Sequence, residues 1–277
     1  MSPSWRDQIQ VFFAPGRIDL VRWSRGFKPV QTLKITRLCA EHTPGQALWD
    51  APLQQLEQLL KDASGTEMSL TLSNHFVRYI TLPPQEGITS PDEVLAYATF
   101  RMREIYAERM NDWVLSISSW NPTSGAICAA ITRDLLTQLQ ELANRHNVKL
   151  KRIEPYLSST FDQWHQSFGN ERTCYALIET GRVCIALLAD GVWQGIRNQK
   201  ILHNLAEELL ATLDQEIILS GHKSDVEDVR VFAPEHPDLV LPKDCGWKII
   251  PPSPDLVIPA HYPSVINHSD EANSCVA

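Results

Sequence analysis

The sequence lacks any window of the ~20 apolar residues that a helix needs to cross a bilayer. Its start, MSPSWRDQIQVFF, also lacks the basic region and long apolar stretch of a cleaved signal peptide. Together these absences predict a cytoplasmic protein with no direct membrane insertion. There is no excess of positive charge: 25 Lys and Arg stand against 33 Asp and Glu, a formal net charge of −8. The largest basic grouping, Lys149, Lys151 and Arg152, is too short for the footprint of a nucleic-acid binder. An acidic surface also disfavours docking on anionic lipid. No Cys-x-x-Cys occurs, and Cys39, Cys128, Cys174, Cys184, Cys245 and Cys275 are far apart. Buried free thiols in a reducing compartment are the expectation. Also missing are GxxxxGK[ST], GxGxxG, HExxH, GxSxG and any His pair at i,i+4. P-loop, dinucleotide-fold, zinc-protease and serine-hydrolase chemistries therefore have no signature here. His146, His203 and His222 fall near predicted helix ends, which suits solvated or capping roles.

What the chain does have is a supersecondary pattern that occurs twice. Its 277 residues, 43% hydrophobic and 21% charged, are enough for two domains or one bilobed one. The first copy opens at residues 9–23 with a hairpin around Pro15-Gly16, in which Val11 and Phe13 alternate with smaller or polar neighbours. A third strand follows over 30–38, then a helix over 52–61 carrying Leu53, Leu56, Leu59 and Leu60 on one face, then a strand over 68–72. The second copy opens at residues 173–197, with turns at Thr180-Gly181 and Asp190-Gly191. If Thr180-Gly181 is a two-residue turn, Cys174 faces Leu187 and Cys184 faces Leu177, so the two thiols are not partners. An apolar stripe of Leu202, Leu205, Ala206, Leu209, Leu210, Leu213 and Ile217 predicts a helix over 202–219, and 228–232 the closing strand.

Between the copies lies an extra block. Residues 76–82 read as a strand, and Ser90-Pro91-Asp92-Glu93 as a capping box that opens a helix to about Tyr106. Strands follow at 113–118 and 126–131, then a helix from Thr132, a strand at 150–154 and a helix from Pro155 toward Trp164. Arg101 falls in that first helix's stripe of Val94, Tyr97, Ala98, Met102 and Ile105, where it calls for an acidic partner, a peptide carboxylate, or a head reaching water. After Phe232 eight prolines within 234–263 oppose regular structure. The polar end, including the formal sequon Asn267-His268-Ser269, reads as disordered. The predicted organisation is a first lobe over 1–165 with an inserted α/β subdomain of about 76–131, a second lobe over 166–250, and a Pro-rich tail over 251–277. Strands alternating with helices argue α/β.

The segments LTLSNHFVRYITLPP (70–84), EVLAYATFRMREIYAERMNDWVLSI (93–117), AICAAITRDLLTQLQELANRHNVKLKRIEPY (126–156) and YALIETGRVCIALLADGVWQGIR (175–197) resemble the PilM and GspL family. These are actin-like proteins of type IV pilus and type II secretion machines. The resemblance implies a duplicated actin-like (RNase H-like) fold with two lobes and an inserted subdomain. It also implies docking onto the cytoplasmic tail of an inner-membrane assembly protein, or onto a secretion or pilus ATPase.

An actin-type fold grips triphosphate between two hairpin turns through backbone N–H groups, with a carboxylate near each turn for the metal and water. The first turn here is Ala14-Pro15-Gly16-Arg17: Pro15 has no N–H, no acid precedes it, and Asp19 lies on the outgoing strand. The second is Glu179-Thr180-Gly181-Arg182, where Glu179 stands either as a metal-associated acid or as the partner of Arg182 across the hairpin. Gly16, Arg17, Glu179, Thr180 and Gly181 are thus the candidates for a vestigial nucleotide site, for ATP with Mg if it binds at all. The adenine-side loop Phe232-Ala233-Pro234-Glu235-His236-Pro237 has no glycine, and two prolines stiffen it. The expectation is a non-catalytic scaffold; the alternative is an ATP-binding enzyme or ATPase of the actin and sugar-kinase superfamily.

Overall fold

Pro15 and Gly16 leave no room for more than a two-residue turn, so β1 (Gln8–Ala14) folds straight back on β2 (Arg17–Trp23), with Ala14 opposite Arg17. The computed structural model describes residues 6–26, 29–164, 173–189, 192–219 and 227–250. The Asp190-Gly191 turn, His222, Cys275, the sequon and the Pro-rich tail lie outside the described residues.

β3 (Gln31–Leu38) adds to β2 as an exposed edge. The chain then crosses through α1 (Asp50–Leu60) and returns as β4 (Glu67–Leu72), parallel to β1. β8 (Lys149–Pro155) extends the sheet beyond β4, for an order β3-β2-β1-β4-β8. The second half repeats this. β9 (Thr173–Glu179), β10 (Arg182–Ala189) and β11 (Val192–Lys200) form the meander, and α5 (Leu205–Leu219) the crossover. β12 (Glu227–Phe232) and β13 (Trp247–Ile250) complete the order β11-β10-β9-β12-β13. The repeat extends to single hydrogen bonds. The carbonyl of the turn glycine accepts an amide from the residue just beyond the third strand in each half: Gly16 from Cys39 at 2.9 Å, and Gly181 from Ile201 at 3.0 Å. Cys174 faces Leu187 and Cys184 faces Leu177, as the two-residue turn requires, and the two are not joined in a disulfide.

The intervening block forms a third sheet, β5-β7-β6, from β5 (Arg78–Leu82), β6 (Trp113–Ile117) and β7 (Ala126–Thr132). α2 (Pro91–Tyr106) covers it, burying Val94, Ala98 and Met102. Its start is the expected capping box: Glu93 N–H donates to Ser90 Oγ at 3.3 Å, and Ser90 N–H to Glu93 Oε2 at 2.9 Å. Ile105, placed in the buried stripe by its spacing, is exposed instead. Arg101 Nη1 pairs with Glu104 Oε2 on its own helix at 2.8 Å, so the acidic partner is a local one. α3 (Arg133–Arg145) packs Leu135 and Leu139 beside Leu56 and Leu60 of α1, each burial worth ~1.5–3 kcal/mol. α4 (Tyr156–Trp164) follows β8 directly.

Three expectations need correction. The helix α5 begins at Leu205, not Leu202, which is 73% exposed. Asn204 Oδ1 accepts from the amides of Ala206 and Glu207 and so caps the helix, a signal stronger than one more leucine in the stripe. β13 forms despite the prolines before it, because Pro234, Pro237 and Pro242 sit in the connection and the strand begins only at Trp247. In β1, Phe12 is as buried as Val11 and Phe13, so the strand is covered on both faces and not alternating.

The two sheets meet through aromatic side chains. Tyr156 of α4 lies edge-on to Phe12 of the first sheet at 4.8 Å and to Phe232 of the second at 6.3 Å. Phe161 packs on Trp193 at 4.6 Å. The buried cluster that holds Phe12 and Leu70 also holds Tyr175, Leu177 and Phe232.

Candidate site between the hairpin turns

The repeated topology points both hairpin turns into one cleft. A cavity of about 310 Å³ there is lined by Gly16, Arg17, Glu179 and Thr180, together with His75 and Glu235. Four of the five expected residues therefore converge. Gly181 does not line the cavity; its φ of +73° serves the turn itself.

Arg17 leaves the first turn between two carboxylates. Nε donates to Asp19 Oδ2 at 2.9 Å, and Nη2 meets Glu235 Oε1 at 2.9 Å. Asp19 also accepts from the Thr36 hydroxyl at 2.7 Å and is 2% exposed. Burial pushes its pKa upward, against the pull of Arg17 and Thr36. The acid missing before the first turn is thus present after it, but holds the arginine.

Glu179 is 3% exposed, and its Oε2 accepts the backbone N–H of Asn74 at 3.0 Å. Burial lifts its pKa to about 7, while hydrogen bonds from Ser73 and Asn74 pull the other way. The cross-hairpin pair with Arg182 does not form: Arg182 Nη1 donates to Asn198 Oδ1 at 3.0 Å. Opposed backbone positions set Cα separation, but burial turns each side chain toward its own partner. His75 Nδ1 stands 3.9 Å from Glu179 Oε1. It is no ion pair near neutrality, because burial first, and then the charges of Arg182, Lys200 and Arg78, push the histidine pKa down to about 3.

Sequence reading missed Asn74, His75 and Asn198 altogether, and named Glu235 only as part of a loop. Asn198 Nδ2 donates to the carbonyls of Asn74 at 2.8 Å and Val77 at 2.9 Å, tying β11 to the segment between β4 and β5. These partners lie more than 100 residues apart in sequence, so no local pattern marks them. Glu235 did carry a signal. In Ala233-Pro234-Glu235-His236, Pro at the second position predicts a β-turn with Glu235 at its tip. The His236 N–H to Ala233 carbonyl bond, 2.9 Å, closes that turn.

Several groups that an actin-type cleft would turn toward a nucleoside triphosphate and its metal are missing or already engaged here. Pro15 offers no N–H, the Thr180 N–H is bonded to Glu235 at 2.7 Å, and Glu179 is sealed against Asn74. Among the described residues, no three His, Cys, Asp or Glu side chains gather to hold a metal ion.

No protein-family model and no curated protein matches the chain. Solved structures do match in fold. The chain is similar to the PilM–PilN type IV pilus biogenesis complex, at 15% identity and TM-score 0.62, over 88% of this chain and 87% of that one. It is also similar to the cytoplasmic domain of EpsL, an inner-membrane component of the Vibrio cholerae type II secretion system, at 12% identity and TM-score 0.57, over 88% and 89%. A Bacteroides thetaiotaomicron protein of unknown function with an actin-like ATPase fold is similar at 9% identity and TM-score 0.55, over 83% of each chain. The fold is therefore actin-like, a two-lobed α/β architecture, as the resemblance in the sequence implied. Among the described residues no helix is long and apolar enough to cross a membrane.

Proposed function

We propose that this chain is a non-catalytic scaffold that docks the cytoplasmic segment of a membrane-anchored partner in a pilus-like or secretion-like assembly. The observation that carries this reading is a second concavity, of about 450 Å³, away from the hairpin turns. It lies where the small sheet, the β8–α4 junction and β11 meet, and is lined by Ser116, Ser119, Ile153, Glu154, Phe161 and Trp193 among others. One wall is β6, the edge strand of its sheet, whose outer backbone groups are a template for an added strand. Glu154 and Asp162 line the groove beside apolar Ile153, Phe161 and Trp193, with Glu154 paired to Arg152 at 3.2 Å. Two neighbours in fold support the machine class: one is named as a pilus biogenesis complex with PilN, the other as part of an inner-membrane secretion component. Recruitment to the inner face of the membrane follows from that partner.

The test is site-specific photo-crosslinking in cells. A benzoylphenylalanine at Ser119, exposed beside the groove, is expected to trap a membrane-anchored protein. The same group at Lys34, exposed on the far edge strand β3, is expected not to. Capture of the same proteins from both positions, or of soluble proteins alone at Ser119, would contradict the reading.

A further inference from the structure

The carboxylate of Glu235 is gripped from both halves of the molecule. Oε1 forms an ion pair with Arg17 of β2, 2.9 Å from Nη2. Oε2 receives the backbone N–H of Thr180 in the β9–β10 turn, at 2.7 Å, and also the Thr180 hydroxyl. A guanidinium, a turn amide and a hydroxyl converging on one anion are the donor types that hold a phosphate oxygen. Here a side chain of the protein takes that place.

The loop is built to deliver it. Pro234 fixes φ at the second position of the turn that presents Glu235. The ion pair is not a surface pair worth next to nothing, since the side chains of Arg17 and Glu235 are only 16% and 14% exposed. The cavity of about 310 Å³ beside it shows that the space between the turns has not collapsed. Its wall carries His75, on which Arg182, Lys200 and Arg78 all act as nearby positive charges.

We infer that Glu235 is an internal anion which fills a phosphate-type site and latches the two hairpin turns together. Withdrawing it opens that site to an inorganic phosphate-class anion. The inference goes beyond the docking reading and does not depend on it, because the groove beside β6 shares no residue with this cleft.

The experiment is a titration of inorganic pyrophosphate, free of divalent metal and at constant ionic strength, into the full chain and its Glu235→Ala variant. Calorimetry reads binding, and hydrogen exchange reads the β9–β10 turn. Wild type is expected to bind no pyrophosphate beyond a chloride control. Glu235→Ala is expected to gain saturable binding at least about tenfold tighter than any residual wild-type affinity, and to lose it again in Glu235→Ala/Arg17→Ala. Exchange at the Thr180 amide is expected to rise by about tenfold or more in Glu235→Ala and to fall back when pyrophosphate binds. Should Glu235→Ala not fold, Glu235→Gln keeps the side chain's size, removes its charge and carries the same readouts. Equal pyrophosphate binding by wild type and a folded variant would overturn the inference. So would a folded variant that neither binds the anion nor exchanges faster at the turn.

Discussion

Glu179 shows how burial can dominate a residue's chemistry. Its carboxyl sits in the junction with one backbone N–H from Asn74 and no adjoining cation in hydrogen-bond contact, so the neutral form is favoured up to about pH 7. The folded chain keeps the proton there, while the unfolded chain loses it near 4.5. The contribution of Glu179 to stability is therefore fully present below about pH 4.5 and is lost as pH rises through about 7. Gln keeps the oxygen that accepts from Asn74 and removes the titration. Glu179→Gln is expected to match wild type near pH 4.5 and to exceed it above pH 7 by on the order of 3 kcal/mol at most, read as the difference in urea-unfolding free energy at the two pH values. His75 has the opposite sign: held neutral down to about pH 3, it weakens the fold as pH falls from 6.5. Its slope is common to both proteins and leaves the comparison intact. At this scale the sequence named Gly16, Arg17, Glu179 and Thr180, which line the cavity, but not the partners of their side chains. Asn74 and Asn198 reach the site through tertiary contacts that no spacing encodes.

Elements were more legible, because caps and turns are local. Ser90 and Glu93 close the capping box of α2 at the expected residues, and Ser90→Ala is expected to cost about 1 kcal/mol of stability in denaturant unfolding. Gly125, just before β7, is a harsher position. Its φ is +75°, and a Cβ there would stand 2.1 Å from the Leu82 carbonyl oxygen. Gly125→Ala forces backbone apart where β5 and β7 begin to pair, so a loss of more than about 2 kcal/mol is expected by the same measurement. Failures of reading at this scale share one cause. Leu202 fitted the apolar stripe, but Asn204 ends the helix before reaching it. β13 lies in a Pro-rich region, yet its register beside β12, with Glu227 opposite Trp247, fills the place that β8 occupies beside β4. Periodicity reports what an element could bury, while the cap and the neighbouring strand decide where it starts.

At the scale of the whole molecule, duplication was visible as a repeated order of strands and helix, and the matching sheet orders make it a topological fact. The joint between the halves was not visible. It rests on Tyr156 between two phenylalanines, on Glu235 across the turns, and on Asn198. Asn198→Ala strips hydrogen bonds from the Asn74 and Val77 carbonyls, at an expected cost of about 1–3 kcal/mol, with faster amide exchange in residues 74–78 than in β4.

The proposal that joins these scales is that the protein's own groups occupy the anion-binding donors of the cleft between the turns, which does not serve a nucleotide. Thermal unfolding of the full chain with and without excess Mg-ATP tests it most directly. A ligand at ~100 times its dissociation constant stabilises by about 2.7 kcal/mol, and each kcal/mol moves the midpoint of a chain this size by roughly 2–4 °C. The account predicts no shift beyond that of Mg with sulfate. A saturable rise of several degrees would contradict it and return Arg17, Glu179 and Thr180 to the service of a nucleotide.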